Sequence, residues 1–273
     1  MRDVTLPNGD QMPAFGLGTW RMGESRTRAA AEIEGLKLGL DLGVKLIDTA
    51  EMYGDGHAEE LVRAAMVGRR DAVFLVSKVL PENASRQGTI AACEASLKRL
   101  GTDRLDLYLL HWRGSHPLEA TLAAFEELKR TGKIRHWGVS NFDVADMEVL
   151  QGAEPAVNQV LYNLSRRSIE HALIPWCRTR RIPIMAYSPV EQGRILDHPS
   201  LVKLARTRGV SPAQLALAWV LSQEGVIAIP KATAPAHVRE DVAAADLTLD
   251  PATLAALDTA FPRPKRDQGL EML

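Results

Sequence analysis

The sequence predicts an α/β fold: a single (β/α)8 barrel of the TIM type with an N-terminal β-hairpin cap, forming one domain over residues 1–273. Three observations predict it. Short apolar runs of strand length alternate with segments whose apolar residues recur every three or four positions, the spacing of one helical face. The runs are apolar at consecutive residues, as strands buried on both faces must be, and strands separated by helices pair in parallel. Eight such units fit within 273 residues, close to the roughly 250 a closed barrel needs, and no Pro/Gly/Ser-rich linker divides them.

In chain order, residues 3–12 carry an Asn8-Gly9 turn signal between two short extended stretches, a hairpin lying outside the main fold. The strand-length runs follow at 44–47, 73–76, 105–110, 134–139, 156–160, 182–186 and 226–229, with 245–249 as the eighth. Between them, Ile33, Leu36 and Leu40 share one helical face, and Leu61, Val62 and Ala65 another. Ile90, Cys93, Leu97 and Leu100 form a third stripe, and Leu118, Leu122, Phe125 and Leu128 a fourth. Two later helices announce their starts with an N-cap residue followed by proline, at Ser211-Pro212 and Asp250-Pro251. The second of these carries Leu254, Leu257 and Phe261.

Composition narrows the function. The 33 basic and 34 acidic side chains leave a formal charge of −1, so electrostatics offers no case for nucleic acid or a membrane surface. Cys93 and Cys177 are the only cysteines and stand far apart, which excludes a disulfide framework or zinc ribbon and fits a reducing cytoplasm. No apolar stretch follows Met1-Arg2-Asp3-Val4, so no signal peptide is expected, and no run approaches the ~20 residues of a membrane helix. His111 and His116 stand apart from any HExxH, and no metal site is expected. Gly16-Leu17-Gly18 is half of a dinucleotide fingerprint, but it lacks the third glycine and opens no helix.

In a (β/α)8 barrel, chemistry sits at the C-terminal strand ends. Those ends offer Asp48, Lys78, His111, Ser140-Asn141, Gln159, Tyr187-Ser188 and Lys231. Each alone has an ordinary structural role: a turn cap, an ion pair, a satisfied histidine. Together they imply a polar mouth over an apolar core. Tyr53 follows Asp48 in a Gly-rich loop. A phenol beside the Lys78 ammonium should have its pKa lowered toward neutrality and serve as a proton donor. Asp48 can keep Lys78 charged, and His111 can orient a substrate carbonyl.

These residues lie in motifs that resemble the aldo-keto reductases. The resemblance rests on Leu46-Ile47-Asp48-Thr49-Ala50-Glu51-Met52-Tyr53-Gly54, Ser77-Lys78 and Asp106-Leu107-Tyr108-Leu109-Leu110-His111-Trp112. It continues through Gly132-Lys133-Ile134-Arg135-His136-Trp137-Gly138-Val139-Ser140-Asn141-Phe142, Asn158-Gln159-Val160, Ala186-Tyr187-Ser188-Pro189 and Ile229-Pro230-Lys231. The motifs run in the family's order from Gly16 to about Asp246, and the branch they most resemble is that of bacterial methylglyoxal reductases. The resemblance implies NADPH-dependent reduction of small aldehydes and ketones, with methylglyoxal-like α-oxoaldehydes foremost. It implies Tyr53 as general acid, Lys78 and Asp48 tuning it, and His111 orienting the carbonyl. It also implies that Ser140, Asn141 and Gln159 hold the nicotinamide, with its ring stacked on Tyr187. The pyrophosphate would lie along 188–193, with Ser188, Pro189, Gln192 and Gly193, and the adenosine phosphate would meet Lys231. Gly18, Thr19, Trp20, Ile229, Pro230, Ala232, Thr233, His237, Glu240 and Asp241 complete the implied cofactor set, and Trp20 and Trp112 the substrate walls. A small carbonyl substrate and a monomer are expected.

Two departures bear on the cofactor. The family often has serine where Ala232 stands and commonly arginine where His237 stands. A bidentate arginine is not replaced by a largely neutral imidazole, so the preference for NADPH over NADH should be weakened, with Lys231 and Arg239 still at hand. The polar segment after Phe261 is short, which suggests an open pocket for small aldehydes. A different class of function is a nicotinamide-nucleotide-sensing module with slow turnover. A third is a Schiff-base lyase using Lys78.

Overall fold

The structure, a computed structural model, describes residues 1–150 and 152–273. Strands β1 (Asp3–Thr5) and β2 (Gln11–Pro13) pair antiparallel with Val4 opposite Met12. The Asn8-Gly9 turn is closed by the Leu6 N–H donating to the Asp10 carbonyl at 2.8 Å. The hairpin cap is present as expected.

The remaining strands form one eight-stranded parallel sheet in chain order. They are β3 (Gly16–Gly18), β4 (Leu46–Asp48), β5 (Phe74–Val79), β6 (Leu105–Leu110), β7 (Ile134–Ser140), β8 (Asn158–Leu161), β9 (Ile184–Tyr187) and β10 (Val226–Ala228). The two outer strands turn toward each other: Phe15 bridges Ala228, and the Gly18 N–H donates to the Pro230 carbonyl at 2.8 Å. The sheet is therefore a nearly closed barrel.

One strand is not where the sequence puts it. Residues 245–249 form no strand; Leu247 and Leu249 only pack against the core between two helices. The missing strand is Gly16–Gly18, which has no apolar run to announce it because two of its three residues are glycine. The glycines answer to closure: a Cβ on Gly18 would lie 2.8 Å from the Ile229 carbonyl oxygen.

Ten α-helices surround the barrel among the described residues. They are α1 (Ala29–Asp41), α2 (His57–Ala65), α3 (Arg86–Leu100), α4 (Leu118–Arg130), α5 (Val144–Glu148), α6 (Leu173–Thr179), α7 (Pro199–Arg208), α8 (Pro212–Ser222), α9 (Pro235–Ala244) and α10 (Pro251–Ala260). The four apolar stripes expected from spacing fall on α1 to α4, and both proline-marked starts are real. Ser211 and Gln214 form a reciprocal capping box, and Asp250 accepts the Thr253 N–H at 2.7 Å. Among the described residues, no helix is long and apolar enough to cross a membrane.

Strand alternation builds two cores. Outward residues such as Ile47, Leu75, Tyr108 and Leu110 pack against the helices. Leu46, Val76, Leu107, Leu109, Val157, Met185 and Ile227 fill the barrel together with Val4, Leu6, Met12 and Ala14 from the hairpin region, so the cap plugs the N-terminal end. One alternation further along, at the opposite end, stand Asp48, Lys78, His111, Gln159 and Tyr187.

Candidate active site

The polar ends converge on one side of a cavity of about 800 Å³. Lys78 is wholly buried and placed by β5; its Nζ donates to Asp48 Oδ2 at 2.8 Å, to the Thr49 carbonyl at 2.8 Å and to the Tyr53 hydroxyl at 3.3 Å. Asp48 Oδ1 accepts the Gln159 amide at 2.8 Å, so both carboxylate oxygens are engaged. The Tyr53 ring meets the His111 imidazole edge-on, centroids 5.7 Å apart. His111 in turn lies 4.8 Å from Trp112.

Tyr53 reaches this position through a tight turn that only glycine permits at its next residue. Gly54 has φ +55, and a Cβ there would sit 2.8 Å from the Gly23 backbone. The turn thus presses the Tyr53 loop onto the 22–23 segment and aims the phenol at Lys78.

Electrostatics departs from the sequence expectation at one point. Burial first, and the Asp48 charge second, raise the Tyr53 pKa well above the ordinary phenol value, where the sequence suggested a lowering by Lys78. Lys78 lies between the phenol and Asp48, and the Asp48 charge offsets the pull of the ammonium. Burial also pulls Lys78 below its ordinary value, against the opposing pull of Asp48. His111 is brought down to about 2 by burial and by the Lys78 charge, so it stands as a neutral imidazole. This end of the cavity holds a protonated phenol, a neutral N–H donor and a buried ion pair.

From there the cavity runs past Ser140, Asn141 and Tyr187. Asn141 is left-handed at φ +59; its amide bridges the His111 carbonyl at 3.1 Å, and it accepts the Tyr187 hydroxyl at 2.9 Å. The loop 188–193 follows with Ser188, Pro189, Gln192 and Gly193, and the far end is lined by Ile229, Lys231, Ala232, His237, Glu240 and Asp241. Gly18 and Trp20 lie along the lining as well. Four of the residues anticipated from the sequence stand behind it: Lys78, Thr19, Pro230 and Thr233. Lys78 reaches the cavity only through Tyr53 and Asp48, which leaves a Schiff-base lyase without an accessible amine. The Thr233 hydroxyl is buried without a protein partner.

On α9, His237, Glu240 and Asp241 share one face at three- and four-residue spacing. Arg239 is exposed and outside the lining, because two residues along a helix turn its side chain about 200° away. The expectation that Arg239 helps the phosphate end is corrected accordingly. Asp241 is pushed up to about 7 by burial and by the Glu240 charge.

Sequence reasoning missed Arg21, Met52, Val190, Leu196, Pro212, Ala213, Met272 and Leu273, all part of the lining. Arg21 follows Trp20 directly and could have been caught. The others are apolar or come from distant segments, and Met272 and Leu273 lie in the stretch that the sequence suggested would leave the pocket open. That stretch instead supplies part of the wall. No group of three or more potential metal ligands occurs among the described residues.

Comparison with known proteins follows the same lines. The model of the aldo/keto reductase family matches residues 14–261. A methylglyoxal reductase of Escherichia coli is 51% identical over 276 residues, 97% of each chain. A glyoxal reductase of Bacillus subtilis is 37% identical over 93% of this chain and 91% of its own. The crystal structure of an aldo-keto reductase from Klebsiella pneumoniae in complex with NADPH superimposes with a TM-score of 0.95 at 46% identity, covering all of both chains.

Proposed function

The chain belongs to the aldo/keto reductase family, and from that premise we propose that it reduces small aldehydes and ketones to alcohols with NADPH, α-oxoaldehydes of the methylglyoxal type foremost. The observation that carries this is the buried Asp48–Lys78–Tyr53 chain beside neutral His111 at one end of a cavity of about 800 Å³ that runs on to Lys231 and α9.

The lining fits NADPH. The donors and acceptors of Ser140, Asn141 and Gln159 suit the carboxamide, and Tyr187 offers a ring to the nicotinamide. The segment 188–193 suits the pyrophosphate. Lys231, the unpartnered Thr233 hydroxyl and the uncapped first turn of α9 suit the phosphate of the adenosine end. When bound, NADPH supplies the hydride that reduces the carbonyl carbon.

The protein's part is protonation and placement. The His111 N–H holds the carbonyl oxygen near Tyr53, whose raised pKa keeps the phenol protonated at any working pH. As negative charge develops on that oxygen, the Tyr53 proton passes to it. The phenolate left behind faces the Lys78 ammonium at 3.3 Å, which strengthens as a partner only when that charge appears. Asp48 and the Thr49 carbonyl keep Lys78 charged and fixed. Trp20 and Trp112 would bound the substrate, and the chain would act as a monomer in the cytoplasm.

Two measurements test this. Purified protein should oxidise NADPH faster than NADH with methylglyoxal and short aldehydes; tight cofactor binding without turnover would favour the sensing module. His237→Arg should tighten NADPH binding by about tenfold, the scale of one charge-assisted hydrogen bond, and leave NADH binding unchanged. Equal gains for both cofactors would mean that the 2′-phosphate is not near His237.

A further inference from the structure

Two separate segments of chain wall the cavity beside Tyr187: the loop 188–193 and the stretch 270–273, which contributes Met272 and Leu273. Both converge on one arginine. Arg166 stands on a turn after β8 that Asn163 locks, its side-chain oxygen accepting from the Ser165 N–H at 2.9 Å and the Arg166 N–H at 3.1 Å. From that fixed base the guanidinium donates through Nε and Nη2 to Glu191 Oε1, at 3.1 and 3.0 Å. Through Nη1 it donates to Glu271 Oε1 at 2.8 Å.

Glu191 is 4% exposed and left-handed at φ +50, and its neighbours Ser188 and Gln192 are left-handed too. Three non-glycine residues in that region within five positions make a strained loop, held only because its surroundings determine it. Those surroundings are Arg166, the Arg194 donation to Glu191 at 2.8 Å, and Asn163, whose amide reaches the Ser188 carbonyl at 2.9 Å and Glu191 at 2.8 Å. The opposite side of the guanidinium carries the 270–273 stretch. Met272 and Leu273 are half exposed, apolar side chains turned to the cavity rather than sealed in the core.

We propose that Arg166 is a positioning residue that clasps the cofactor loop to the substrate wall: through Glu191 and Glu271 it sets Met272 and Leu273 in place when the loop 188–193 closes on the cofactor. This rests on the reading of that loop as the pyrophosphate site. A planar guanidinium with donors engaged on both edges fixes the two carboxylates relative to each other, which a lysine's single ammonium at the same place would not. The wall over the substrate is then ordered after the cofactor arrives, and the size of carbonyl accepted depends on Glu271.

The test uses the full chain carrying Met272→Cys. Cys93 and Cys177 are buried with thiols pushed up to about 12, so the introduced thiol is the reactive one. Its alkylation rate is measured with and without saturating NADP+, with cofactor binding followed separately by tryptophan fluorescence. NADP+ should slow alkylation by about tenfold, the scale of one charge-assisted hydrogen bond, and adding Glu271→Ala should abolish the slowing while NADP+ still binds. In the unlabelled protein, Glu271→Ala should raise KM for short aldehydes several-fold and narrow the difference between short and long ones, with kcat little changed. Slowing that persists in Glu271→Ala would mean direct shielding by cofactor and overturn the clasp. NADP+ bound with no slowing in the parent would overturn the coupling while leaving the reductase reading standing. Failure to bind NADP+ at all would overturn both.

Discussion

Lys78 has no contact with solvent and three oxygen partners, one of them charged. Removing it strands Asp48 in the barrel with a single neutral donor. Lys78→Met should therefore cost about 3–5 kcal/mol in urea unfolding, the penalty for breaking a buried pair, with turnover lost as well. A loss under 1 kcal/mol would mean that Asp48 is better solvated than its burial indicates. Asp241 behaves oppositely. Its folded pKa of about 7 lies above the ordinary 3.8, so between those values the folded chain holds a proton that the unfolded chain has released. Stability is present in full below that window and is lost as pH rises through it. Asp241→Asn should raise Tm at pH 8 and leave it nearly unchanged at pH 4; equal shifts at both would refute the assignment. Position 241 was legible as a cavity residue through the family resemblance, but its protonation was not, since that depends on burial and on Glu240 alongside it. The same holds for Tyr53: the sequence puts it near Lys78 and Asp48, and only the structure shows that burial and the Asp48 charge outweigh the ammonium.

At the scale of elements, the signals that succeeded are local ones. Ser211-Pro212 and Asp250-Pro251 each start a helix because cap and proline act within one turn. Ser211→Ala should cost about 1 kcal/mol in chemical unfolding without altering cofactor affinity, since the capping box satisfies two otherwise free N–H groups. The signal that failed is also instructive. Gly16–Gly18 is a barrel strand whose glycines serve contact with the 229–230 backbone, a demand set by residues more than 200 positions away. Residues 245–249 had the apolar composition but no strand partner. The hairpin was legible from Asn8-Gly9, whereas its role as a plug required seeing Met12 among the barrel-filling residues. Met12→Ala should destabilise by about 2–5 kcal/mol, as for other buried methionines, and leave the kinetics at the far end of the barrel unchanged. A large change in kcat would show that the two ends are coupled.

For the whole molecule, the apolar interior and the polar mouth are consequences of one alternation carried through parallel strands. That is why the ring of Asp48, Lys78, His111, Gln159 and Tyr187 is readable in the sequence: each follows an apolar run at the same register. Trp20 and Trp112 were readable as walls, but Leu196, Ala213, Met272 and Leu273 were not, because they reach the cavity from segments whose return path is set by tertiary contacts such as Arg166 with Glu271. The proposed chemistry stands on Tyr53 as the proton donor. Tyr53→Phe, compared with the parent for NADPH oxidation with methylglyoxal and for NADPH affinity by fluorescence, is the direct measurement. Turnover should fall by about 10²–10⁴, the contribution of a positioned general acid, while NADPH affinity stays within about twofold. Turnover near that of the parent would show that the proton comes from elsewhere.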